Sequence, residues 1–324
     1  MTVLISNGLI RSVSRLFVSA ALLSSYFVPV IHAIETSVMY GINDPIGNGT
    51  LPGDVPAKIV QVTMTKDGSS YSASFLEVFD TGMYGQANAF AYDTARDQMF
   101  FISSPTPGGS YSPRSLYDWN RGSSLSLLAD STQIGVSGNI PANAVYYSNA
   151  FWFFDENGTD ELVKVNLNYS GQTPSFGSTS RYAITGYAGT TAYGDIAIDA
   201  NTGMLYGAST TGLFFSLNVA GASPTGYTSI KASGNPSLQI AFSPDFSTLY
   251  GQDYSTGKWY TIDKLTGNTT DINVTSPTGL RLRDLGGSSF TQVPEPSTYA
   301  LAAISILALA ILAHRKRKPK PAMA

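Results

Sequence analysis

Apolar residues in the middle of this chain recur in short runs, not at helical spacing. One pattern joins an apolar pair or triple containing an aromatic to a glycine or a polar residue. It appears as Val38–Ile42, Met99–Ser103, Phe151–Asp155, Met204–Ala208 and Thr248–Gln252. About ten residues before the last four lies a second pattern, in which a polar residue opens a small-and-large apolar stretch. Its copies are Asn88–Tyr92, Asn143–Tyr147, Asp195–Asp199 and Gln239–Ser243. No such copy precedes Tyr40. The missing one lies at the other end of the body, as Asp284–Ser288.

Alternating stretches follow each aromatic run: Lys58–Thr63, Ser115–Trp119, Leu162–Asn166, Leu213–Leu217 and Lys258–Asp263. Each soon meets a glycine, namely Gly68, Gly122, Gly171, Gly221 and Gly267. Glycine supplies the positive φ that tight hairpin turns need. Fourth strands fit Ser74–Phe79, Leu125–Ala129, Arg181–Thr185, Tyr227–Lys231 and Thr270–Val274.

Four short antiparallel strands per unit, repeated at a near-constant period, indicate a β-propeller, here with five blades. The displaced copy predicts how the ring closes. The strand near Asp284 becomes the innermost strand of the blade that begins near Ser37, and this removes an open sheet edge. A β-sandwich or an irregular solenoid is the competing reading, but neither requires equal spacing or a permuted repeat.

Composition sharpens the picture. Only 13% of residues are charged and 31 are glycine, which suits a turn-rich all-β protein. There is no cysteine, so disulfides, thiolate metal sites and cysteine nucleophiles are excluded. The two histidines, His32 and His314, both fall in terminal segments of different character. A body without them has no Ser-His-Asp triad and no ordinary zinc site.

Residues 1–33 read as a signal peptide. Arg11 and Arg15 precede the apolar run Leu16–Val30, and Ile31-His32-Ala33 supplies a cleavage site after Ala33. At the other end, Val293-Pro294-Glu295-Pro296-Ser297 leads into the apolar run Tyr299–Ala313, and His314-Arg315-Lys316-Arg317-Lys318 follows at once. That order predicts a transmembrane helix whose basic flank stays on the cytoplasmic side. The order of motif, span and basic cluster closely resembles the PEP-CTERM sorting signal. The resemblance covers about the last thirty residues. It implies a Gram-negative host, passage through the inner membrane, and an exosortase partner that processes the chain near Pro294, Glu295 and Pro296. The expected organisation is therefore a signal peptide (1–33), a propeller (34–292) and a sorting segment (293–324).

Between the two terminal segments the chain carries 12 cations against 21 anions. A negative body disfavours nucleic acid, whose affinity rests on neutralising phosphates. Candidate binding groups are the residues that open the inner strands: Asn88, Asn143, Asp195, Gln239 and Asp284. They would converge at the channel mouth on water, a cation or a sugar hydroxyl, or else satisfy neighbouring backbone groups. Tyr111 and Tyr187, on long loops of the same face, are candidates for stacking on sugars. No cofactor is implied. The acidic hairpin Asp155–Glu161 reads as solvated, not as a metal site.

Two functions fit. The first is an exported, noncatalytic cell-envelope or extracellular-matrix protein that binds exopolysaccharide or a surface protein. The second is a carbohydrate-active hydrolase with Asp195 and Asp284 as its carboxylate pair, about 5–10 Å apart over an open cleft.

Overall fold

In the computed structural model, residues 34–43, 55–83, 87–103, 112–138, 141, 143–155, 161–187 and 194–290 are described. Among the described residues, twenty strands form five four-stranded antiparallel sheets. The first blade holds β1 (Ile34–Asn43), β2 (Lys58–Asp67) and β3 (Ser70–Asp80). The second holds β4 (Ala87–Asp93), β5 (Gln98–Ser103), β6 (Leu116–Asn120) and β7 (Ser126–Ala129). A four-residue helix, α1 (Ser131–Ile134), leads into the third blade: β8 (Val145–Tyr147), β9 (Ala150–Asp155), β10 (Glu161–Ser170) and β11 (Thr173–Tyr182). The fourth runs through β12 (Asp195–Asp199), β13 (Met204–Ala208), β14 (Phe214–Asn218) and β15 (Thr225–Lys231). The fifth runs through β16 (Leu238–Phe242), β17 (Leu249–Asp253), β18 (Lys258–Ile262) and β19 (Thr269–Thr275). The last strand, β20 (Leu282–Phe290), returns to the first blade, whose order is β20-β1-β2-β3.

The closure expected from the displaced repeat is present. β20 pairs antiparallel with β1, setting Ile42 opposite Asp284, Gly41 opposite Leu285 and Val38 opposite Ser289.

Burial explains why the second strands are apolar without alternation. Each blade is sandwiched between two others, so both of its faces are covered. In β9, Phe151 and Phe153 pack on the second blade with Phe100 and Leu116, while Trp152 and Phe154 pack on the fourth with Leu205 and Phe215. Five apolar clusters result, one per blade interface. The last joins Met39, Val60 and Val62 of the first blade to Tyr250, Trp259 and Ile272 of the fifth, which completes the circle. Glu35–Gln292 form one compact unit.

Three local expectations are corrected. The fourth strand of the third blade lies at Thr173–Tyr182, not Arg181–Thr185, because Ser170 and Thr173 pair directly across a tight turn at Gly171, where φ is 62°. β8 begins at Val145, two residues later than expected. Of the five hairpin glycines, Gly68, Gly122, Gly171 and Gly267 have positive φ; in the fourth blade Gly226 takes that conformation and Gly221 does not.

Among the described residues no helix is long and apolar enough to cross a membrane. The signal segment with Ala33, and Pro294, Glu295, Pro296 and the apolar run after them, lie outside the described residues, as does Tyr111.

Candidate functional site

Inner strands of a propeller do not pair with one another, so their channel-side N–H groups need other partners. The polar residues that open these strands provide several of them. Asn88, Asn143, Asp195, Gln239 and Asp284 are all at most 4% exposed. Asp284 Oδ2 accepts from Phe90 N of the second blade at 2.5 Å. Asp195 Oδ1 accepts from Ile196 N at 2.6 Å. Its Oδ2 accepts from Ile240 N of the fifth blade at 2.7 Å and from Leu285 N of the first at 3.2 Å. Asn143 Oδ1 accepts from Phe154 N at 2.9 Å. Asp195 and Asp284 thus hold strands of different blades together. Asn88 Oδ1 and Asn143 Nδ2 remain without a protein partner.

Asp195 and Asp284 are buried near enough to each other to interact. Burial raises both carboxyls well above the usual carboxylate range, and the proximity of Asp195 raises Asp284 further. Three N–H donors to Asp195 oppose part of its rise. Asp284 Oδ1 has no hydrogen-bond partner. Both carboxyls are buried at 1% and 0% exposure, whereas hydrolytic carboxyls flank a substrate in an open cleft.

Tyr187 is not a free stacking platform. Its ring packs 5.4 Å from that of Phe215 and 5.6 Å from those of Phe154 and Tyr227.

At the end of the channel opposite the inner-strand starts, the described residues form an open site. A cavity of about 360 Å³ lies among the carboxyl-terminal halves of the inner strands. Ile196, Ile240 and Leu285, whose N–H groups bond Asp195, line it, as do Tyr146, Ile198 and Phe242 farther along their strands. Its carboxylate, Asp93, is bound by Arg96 at 2.7 Å. Arg96 also donates to Tyr146 OH at 3.1 Å and covers the Tyr169 ring, 3.8 Å from its centroid. The repeat pattern located the strands forming this cavity but not its open end, because the bulky residues Tyr92, Tyr146, Ile198 and Phe242 read as ordinary core.

A second buried polar group lies between β5 and β6. Gln98 Nε2 donates to Asp118 Oδ2 at 2.8 Å, while Gln98 Oε1 and Asp118 Oδ1 have no partner. Burial pushes the Asp118 carboxyl up to about 6, against the hydrogen bond from Gln98. Among the described residues, no group of three or more His, Cys, Asp or Glu side chains could hold a metal ion.

No protein-family model matches the chain. No curated protein matches it. Solved structures do resemble it in shape. A chain of a nidogen/laminin complex is 13% identical, with a TM-score of 0.45 over 78% of this chain and 97% of that one. A gluconolactonase of Xanthomonas campestris is 13% identical, with a TM-score of 0.43 over 74% and 77%. A GH74 enzyme of Niastella koreensis is 14% identical, with a TM-score of 0.42 over 74% of this chain and 38% of that one. Likenesses this distant carry no activity across; the five-bladed ring rests on this chain's own strand pairing.

Proposed function

We propose that the chain is an exported, noncatalytic cell-envelope or extracellular-matrix propeller that binds polysaccharide or another surface protein. The observation that carries this reading is the sealed Asp195–Asp284 pair. Both carboxyls are buried and accept from N–H groups of neighbouring strands, which favours a structural role for them over that of hydrolytic acid and base. Export and sorting rest on the terminal segments. β1 begins one residue after Ala33 and β20 ends three residues before Val293, so the propeller fits between a signal peptide and a sorting segment resembling that of exosortase substrates. The inner membrane is then a transit station, and the loops on the face where the inner strands begin are the binding surface.

The test incubates residues 34–292 with an array of bacterial polysaccharides and follows binding and the release of reducing ends together. Saturable binding without release is expected. Release that disappears in Asp284→Asn would restore the hydrolase. In a host that carries an exosortase, Glu295→Ala should leave the unprocessed chain in the membrane fraction; unchanged processing removes the sorting assignment.

A further inference from the structure

We infer that the cavity at the far end of the channel binds a small, neutral, mainly apolar molecule, such as one aromatic ring or a short branched chain. This is a different face and a different chemistry from the polysaccharide reading, and the two stand or fall separately.

Its volume of about 360 Å³ falls within the range of small-molecule pockets, roughly 300–1,000 Å³. The polar tips of two of its aromatic walls, Tyr92 and Tyr146, are already engaged. Tyr92 OH donates to Asp97 at 2.8 Å, and Tyr146 OH bonds Tyr169 OH at 3.0 Å and Asn149 Oδ1 at 3.1 Å. These two rings therefore offer carbon to a guest. Arg96 neutralises Asp93, so a charged guest would lose its hydration with nothing to replace it. A matching apolar guest gains dispersion contacts along this lining.

Gly287 is the second, independent observation. To the cavity lining the other four blades contribute the large side chains Tyr92, Tyr146, Ile198 and Phe242. The first blade places Gly287, the extra residue of a bulge between the pairs Met39–Ser288 and Tyr40–Gly286. Its neighbour Gly286 is glycine for packing, since a β-carbon there would lie 2.7 Å from the Phe90 ring. No such reason holds at position 287. Its φ is outside the left-handed region, and a β-carbon would find nothing nearer than Tyr92 O at 3.9 Å. A strand glycine with free space beside a cavity marks room for a ligand.

The ring closes with its own strands, so residues 34–292 are suitable for the test, with N-phenyl-1-naphthylamine as a neutral apolar fluorophore. Saturable binding at one site per chain is expected. Gly287→Leu should fill the space and weaken binding about tenfold or more at an unchanged unfolding temperature. Should that variant fold poorly, Ala200→Leu, at the exposed rim, should weaken binding to the same extent. The anionic 8-anilinonaphthalene-1-sulfonate should bind more weakly than the neutral probe. The inference is overturned by absence of saturable binding, by equal affinity in the folded variants, or by preference for the anion.

Discussion

Asp118 illustrates how one residue can work against the fold that holds it. It is 6% exposed, its Oδ1 has no partner, and the Gln98 Oε1 beside it has none either. The pair has one donor too few when Asp118 is ionised. Because the folded-state value is raised to about 6, the protonated form is favoured in the fold. Its contribution is complete below about pH 4 and is lost as pH rises through 6, on the order of 2 kcal/mol. Asp118→Asn supplies the missing donor and lets two amides bond reciprocally. We expect the variant to be more stable than the parent at pH 8 by about 1–2 kcal/mol, with the difference vanishing near pH 4. Urea unfolding at several pH values measures this, and a pH-independent difference would contradict it. The inner-strand polar residues were legible in the sequence as a repeated type at a repeated place. Their partners were not. Asp284 bonds an amide 194 residues away and Asp195 one 90 residues away, and no local pattern encodes which neighbouring blade a side chain reaches.

At the scale of elements, strands were legible wherever both faces are buried, since Phe151–Phe154 or Met99–Ile102 can hardly be anything but an enclosed strand. The outer strands were less so. Their exposed faces are polar, and at β11 the eye moves to Arg181–Thr185 while the hairpin turns ten residues earlier. Backbone conformation, not glycine content, decides the turns. Gly171 has φ of 62°, and a β-carbon added there would meet no atom within 4 Å, so replacing it tests conformation alone. Gly171→Ala should cost about 1–2 kcal/mol. Gly221→Ala, outside the left-handed region and with its nearest contact at 3.6 Å, should be neutral or slightly stabilising. Equal effects in thermal unfolding would refute the assignment of the turns.

For the whole molecule, closure was the most legible feature, because a repeat unit missing at one end and present at the other has a mechanical meaning. Five apolar clusters, one per interface, leave no blade with a bare face. The position of the cavity was not legible. It depends on how far the inner strands splay and on a bulge that adds Gly287 to β20, neither of which a local pattern encodes.

The ring depends on β20 reaching β1, and the absence of native cysteine allows a direct measurement. Val38 and Ser289 are Cα partners across that pair, within the separation a disulfide spans. Mild oxidation of the folded Val38→Cys/Ser289→Cys protein should give a monomer with one internal disulfide in high yield, and raise its unfolding temperature by constraining a very long loop. Free thiols, or only disulfide-linked dimers, would mean that the two strands do not meet and that the ring is open.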